Sequence, residues 1–279
     1  MKLESKMALV TGGAVRIGRA ICEALAARGC GVVVHYDRSE REAAKLVASL
    51  RKKGAEAFSV RMRFGGEKEC GRLMDVAWRK AGNIDFLINN AAVFHKDSLS
   101  STTEKKMMAE LQVNFLAPVW LTKEFAKRIN SRHATCAPSR RVDVQGGMAC
   151  RRPSFQHLSF HPNQASLSLS GKVVNILDQR IVGISTDCVP YLLSKKMLSE
   201  FTRMAALELA PSVTVNGVAP GPALPVDKRL KLAASEEAGD IPLVRRPTPA
   251  DVAAAVVFLL ESDSITGQTV FVDGGQHLK

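Results

Sequence analysis

Residues 6–18 read Lys6-Met7-Ala8-Leu9-Val10-Thr11-Gly12-Gly13-Ala14-Val15-Arg16-Ile17-Gly18. The apolar run before Thr11 has the length of a short buried strand, and Ile21, Leu25 and Ala26 then recur at helical spacing. Strand, glycine turn and helix in this order make a dinucleotide-binding unit. The glycines let backbone approach a pyrophosphate, and the helix N-terminus presents unpaired N–H groups and partial positive charge to it. The spacing is Thr-Gly-x-x-x-Arg-x-Gly, so the generic Gly-x-Gly-x-x-Gly fingerprint is not met.

Downstream of this unit, apolar runs at 31–35, 58–61, 86–89, 172–177, 213–218 and 269–272 alternate with helical patterns. Strands separated by helices of about ten or more residues predict an α/β fold, a single doubly wound parallel sheet of Rossmann type with helices on both faces. Ligands of such sheets bind at the carboxyl ends of the strands. A chain of 279 residues with 46% hydrophobic content is enough for one such domain, 1–279, and no second domain is required.

Asp178, Tyr191 and Lys195 stand in one short stretch. Tyr191 and Lys195, four apart, share a helix face, so the ammonium is expected beside the phenol, lowering its pKa toward the working pH for general-acid chemistry. Asp178 ends the apolar run 173–177 and reaches the same pocket if that run is a strand. Tyr-x-x-x-Lys also arises by chance on helix surfaces; its weight here comes from the dinucleotide unit upstream. Eighteen residues beyond Gly18 the chain carries Tyr36, where an NAD enzyme would place an acid for the ribose hydroxyls. Arg16, His35, Arg38 and Ser39 are expected to surround a 2′-phosphate instead, with Asp37 pointing outward, which favours NADPH.

The ordered set of Thr11-Gly12 with Gly18, Asn89-Asn90-Ala91-Ala92, Asn114, Tyr191 with Lys195, Pro220-Gly221 and 269–275 resembles the short-chain dehydrogenase/reductase family over 5–130 and 171–278. Arg16 in the glycine turn, His35-Tyr36-Asp37-Arg38-Ser39, Phe94, and Asp178 where most members carry serine are similar to its pteridine reductase branch. Ala92 and Arg63 depart from the pattern: the first stands where that branch usually has a serine, the second where the wider family has an aspartate toward the adenine.

The resemblance implies an NADP-dependent oxidoreductase that delivers a hydride to a pterin or folate-like substrate. It implies Asp178, Tyr191, Lys195 and Asn114 as the catalytic set, with Asn114 holding a relay water and Asp178 able to pass a proton to a ring nitrogen. Thr11, Gly12, Arg16, Ile17, Gly18, His35, Tyr36, Arg38, Ser39, Asn90, Ala91, Ala92, Lys195, Pro220 and Gly221 would hold the cofactor. Phe94, Arg16, Asp178 and Tyr191 would meet the substrate, with 221–246 as the substrate loop. Relatives of this kind are commonly homotetramers. Two alternatives stay open: a carbonyl or 3-oxoacyl thioester reductase, and a catalytically inactive binding protein of the same fold.

The net charge of +12 suits anionic ligands, but the basic residues are scattered, so nucleic acid is not expected as a partner. No apolar run reaches the length of a membrane span and no signal segment is evident, which predicts a cytoplasmic protein. The six cysteines lack metal-like spacing and read as reduced thiols, and no metal site is expected. Residues 131–170, rich in Ser, Arg, Pro and His and without periodicity, read as a disordered insertion; His133, His157 and His161 within it lack the spacing of a metal site.

Overall fold

In the computed structural model, which describes residues 2–136, 169–223 and 241–279, seven strands form one parallel sheet. They are β1 (Met7–Val10), β2 (Gly31–Tyr36), β3 (Ala57–Arg61), β4 (Phe86–Asn89), β5 (Gly171–Ile176), β6 (Val213–Pro220) and β7 (Thr269–Val272), in the spatial order β3-β2-β1-β4-β5-β6-β7. Each apolar run of the sequence is one of these strands. The strand order reverses between β1 and β4, the position at which such sheets open a crevice beyond their carboxyl ends.

Most strands are buried along their whole length, because helices cover both faces. On one face α1 (Arg16–Ala26), α2 (Glu40–Lys52) and α7 (Pro249–Glu261) seal a core that includes Ile21, Leu25, Leu46, Val256 and Leu260. On the other, α3 (Glu67–Ala81), α5 (Ala117–Cys136) and α6 (Val189–Glu208) pack around Leu73, Met74, Phe125 and Ala205. The short α4 (Glu104–Leu111) runs through a π turn, Gln112–Leu116, directly into α5.

Helix α5 continues to Cys136, past residue 131, where the insertion was expected to start. The flanks of that stretch lie at the amino ends of the strands: Arg132 Nη2 donates to the Ile84 carbonyl just before β4, and the Ser170 amide to the Ser212 carbonyl just before β6. Residues 137–168, with His157 and His161, and residues 224–240 of the expected substrate loop lie outside the described residues. Cys22, Cys30, Cys70 and Cys188 are unpaired and buried, and burial pushes the Cys30 and Cys70 thiols up to about 12. Among the described residues no helix is long and apolar enough to cross a membrane.

Candidate active site

The glycine turn is built for close approach. Gly12 sits at φ +60°, and a Cβ on Gly18 would lie 2.3 Å from the Gly12 carbonyl oxygen. Thr11 Oγ1 accepts from the Asn90 and Ala91 amides at 2.9 and 3.0 Å, while Asn90 Nδ2 donates to the Thr11 and Gly12 carbonyls. The ends of β1 and β4 are thereby locked together. No side chain caps α1 and no acid stands in its first turn, so its terminal N–H groups suit a pyrophosphate.

Arg16, exposed at the mouth of this turn, has φ +55°, a left-handed conformation that a non-glycine residue adopts at a cost of about 1 kcal/mol. That strain falls where the family pattern has glycine. Arg38 is 86% exposed and Asp37, as expected, is directed partly to solvent beside it, 3.7 Å from its Nε. Ser39 precedes α2 without capping it, leaving its hydroxyl uncommitted to the helix.

His35 is the first correction. Its ring is buried, accepts from the Gly12 amide at Nδ1 (3.2 Å), reaches the Met62 carbonyl through Nε2 at 2.9 Å and stacks on Phe64. These bonds fix the tautomer with the proton on Nε2, and burial lowers its pKa to about 4 despite the opposing bond to Met62. A neutral ring beneath the turn does not offer charge to a phosphate; it holds the turn in place. Tyr36, likewise, is buried in the core at the end of β2.

At the end of β5, Asp178, Tyr191 and Lys195 meet as expected. Tyr191 donates its hydroxyl hydrogen to Asp178 Oδ2 at 2.9 Å, and Lys195 Nζ lies 5.9 Å from the phenol ring centroid and donates to the Ile176 carbonyl at 2.7 Å. Burial lowers the Lys195 pKa to about 8 against the pull of Asp178 and Glu110. Between about pH 8 and the ordinary lysine value of 10.5 the folded chain therefore binds fewer protons there than the unfolded chain. The burden of burying Lys195 eases as pH rises through that window.

The expected depression of the Tyr191 pKa is not found. Burial first, and then the Asp178 carboxylate, push the phenol well above its ordinary value, so the ligand-free side chain is firmly protonated. Arg180, a residue that sequence reasoning passed over, pulls the phenol the other way and acts chiefly on Asp178. Arg180 Nε and Nη2 donate to Asp178 Oδ1 and Oδ2, each at 2.9 Å, as a two-pronged pair. Burial works to raise the Asp178 carboxyl, but the Arg180 guanidinium and amide and the Tyr191 hydroxyl outweigh it and hold the carboxylate below its usual range. In this state Asp178 accepts hydrogen bonds and has no proton to pass.

Asn114 is fully buried in the π turn, and its amide is committed. Oδ1 accepts from the Val93 amide, while Nδ2 donates to the Val93 carbonyl, Glu110 Oε2 and Ser194 Oγ. The side chain splints the segment that carries Phe94, so a relay through Asn114 would have to use its backbone carbonyl. Glu110, also fully buried, accepts from the His95 amide and contacts His95 Nδ1 at 2.7 Å. An acid four residues before Asn114, facing inward on α4, was the available signal for this network. Phe94 is 42% exposed and meets Tyr191 edge-on, their centroids 4.9 Å apart.

Ala92 is exposed beyond Ala91, Ile17 borders the turn half-buried, and Pro220 closes β6. The Gly221 amide donates to the Val272 carbonyl, tying the end of β6 to β7. Arg63 is exposed beyond β3.

The family model described as short chain dehydrogenase matches residues 6–135, and that described as enoyl-(acyl carrier protein) reductase matches residues 153–277. The granaticin polyketide synthase putative ketoacyl reductase 2 of Streptomyces violaceoruber is 31% identical, covering 99% of this chain and 97% of its own. Pteridine reductase 1 of Leishmania tarentolae is 29% identical, covering 98% of this chain and 96% of its own. The crystal structure of FolM alternative dihydrofolate reductase 1 from Brucella canis, complexed with NADP, is similar with a TM-score of 0.79. Its sequence identity is 30%, over 100% of this chain and 97% of that one.

Proposed function

The chain belongs to the short-chain dehydrogenase family, and from that premise we propose that it reduces a pterin or folate-like heterocycle with NADPH, with Tyr191 as proton donor. One observation carries the substrate reading: a carboxylate only 14% exposed, Asp178, accepts the Tyr191 hydrogen bond at 2.9 Å beside the exposed ring of Phe94. A ketone oxygen brings no hydrogen to a carboxylate, whereas the amino group and ring N–H of a pterin do. The flat ring also gains from an aromatic face. Relatives named for pteridine and dihydrofolate reduction agree with this reading.

NADPH supplies the hydride. The chain supplies the rest: the turn at Gly12 and Gly18 admits the pyrophosphate, Arg16, Arg38 and Ser39 meet the 2′-phosphate, and Lys195 reaches the nicotinamide ribose. The Lys195 ammonium also stabilises the charge that develops on the Tyr191 oxygen as its proton leaves. Asp178 orients the substrate by accepting its hydrogens, and Asn114 and Glu110 hold the Phe94 segment.

The deciding measurement is NADPH oxidation by the purified chain with a dihydropterin and with an acetoacetyl thioester. Turnover of the pterin without the thioester is expected. The reverse result transfers the assignment to the ketoacyl reductase reading, which the Streptomyces relative favours. Absence of NADPH binding leaves a binding protein of the same fold.

Cofactor choice has its own test. Replacing Arg16 with Gly and Arg38 with Ala is expected to weaken NADPH binding by about 10²-fold and NADH binding by less than about threefold, since the lost contacts are charge-assisted phosphate bonds. Arg16→Gly alone is expected to raise thermal stability by several tenths of a kcal/mol, because relief of the left-handed strain exceeds the added freedom of the unfolded glycine. Equal losses for the two cofactors would remove the arginines from the phosphate site.

A further inference from the structure

The carboxylate that the proposed reading turns toward substrate is already occupied by the chain itself. Arg180 presents two parallel N–H donors to the two oxygens of Asp178, and its third nitrogen, Nη1, reaches Cys188 Sγ at 3.2 Å. The guanidinium carbon lies 5.7 Å from the Phe94 ring centroid and 5.4 Å from that of Tyr191. A carboxylate for a two-donor edge, an aromatic face for a flat group and a phenol at the same oxygen are what a planar guanidine-type heterocycle needs. The Arg180 guanidinium fills the first, lies near the Phe94 and Tyr191 rings, and shares Asp178 Oδ2 with the phenol. Its charge is matched by Asp178 and its fork is filled, so it is poorly placed to receive an anion.

A pterin, through its 2-amino group and adjacent ring N–H, or a 2,4-diaminopyrimidine protonated on its ring nitrogen, carries the same chemistry in a ring: an amino group on a carbon between two nitrogens, with adjacent N–H donors along one edge. We propose that Arg180 is a resident surrogate for this edge, seated on Asp178, Phe94 and Tyr191, and that substrates bearing a cyclic guanidine or amidine enter by displacing it. The proposal rests on Asp178 facing substrate and adds a means of selection. A ketone brings no donors to Asp178 and leaves the arginine in its seat, so the site stays closed to it. When the guanidinium leaves, the Arg180 amide still donates to Asp178 Oδ1 at 2.9 Å, and the carboxylate keeps its orientation for the incoming ring.

The test uses the full chain saturated with NADP+, with 2,4-diaminopyrimidine as probe in titration calorimetry. Arg180→Ala is expected to bind the probe at least about tenfold more tightly than wild type, since the competing internal group is gone. Guanidinium chloride at millimolar concentration is expected to compete with the probe in the variant and not in wild type. Arg180→Gln, which keeps the side-chain bulk, should reproduce the gain if the alanine variant folds poorly. Unchanged or weaker probe binding in these variants, or equal competition by guanidinium in variant and wild type, overturns the proposal.

Parallel NADPH oxidation assays separate the two readings. Tighter probe binding in a variant whose parent ignores dihydropterin sinks the substrate assignment and leaves displacement standing. Wild-type turnover of dihydropterin together with a raised KM in Arg180→Ala keeps the substrate assignment and overturns displacement, making Arg180 a substrate ligand.

Discussion

Tyr191→Phe is expected to lower kcat/KM for every reducible substrate by about 10³-fold, within the range for loss of a positioned general acid. NADPH affinity is expected to stay within about twofold. The ring is retained, so its edge-on contact with Phe94 and its place beside Lys195 persist. The only group removed is the hydroxyl that donates to Asp178. Because burial and Asp178 hold the phenol well above its ordinary pKa, the wild-type donor keeps its proton across neutral pH. An alkaline decline in NADPH binding near pH 8 would therefore belong to Lys195, whose ammonium is lost at about that pH. Single-turnover measurements with saturating NADPH check the first expectation. Residual activity within about tenfold of wild type would assign the proton to another donor, with a solvent path as the first candidate.

The fold was legible because its signals are local and repeated. Buried parallel strands read as short apolar runs, and the glycine turn at Gly12 and Gly18 is dictated by contacts within a few residues and by Asn90, which the Asn-Asn-Ala element announces. The meeting of Asp178, Tyr191 and Lys195 was legible for a similar reason: β5 leads through one short connection into α6, and helical spacing does the rest.

What escaped the sequence depends on which way a side chain turns. His35 lies on the strand that leads to the phosphate region, yet strand alternation points its ring under the turn, where burial forbids charge. Arg180 stands two residues after Asp178 in a 3-10 turn that folds it back onto the carboxylate, and neither periodicity nor a motif marks such a return. The direction of the Tyr191 shift was missed for a related reason: a helix-face argument sees the nearby ammonium, but neither the burial of the phenol nor the carboxylate that contacts its hydroxyl. Asn114 was found by its motif, and the motif says nothing of Glu110 and Val93, which use up its amide.

Asp178→Ser, restoring the residue most of the family carries, is expected to cut kcat/KM for a dihydropterin by about 10²-fold or more, with an activated ketone reduced as well as by wild type or better. The carboxylate accepts two donors at fixed positions, whereas a serine hydroxyl offers one short group that also polarises a carbonyl; the change therefore exchanges recognition of a donor-bearing ring for recognition of an acceptor. Stability should fall by about 1–3 kcal/mol, because Arg180, 33% exposed, loses its ion partner in a partly dry site. Adding Arg180→Gln removes that stranded charge and should restore most of the loss, so a collapse of pterin turnover in the double variant cannot be laid to misfolding. In the double variant, where the guanidinium is also gone from the seat, ketone access should improve beyond that of the single variant. Undiminished pterin turnover in Asp178→Ser would show that this carboxylate does not choose the substrate, and the assignment would pass to the carbonyl reductase reading.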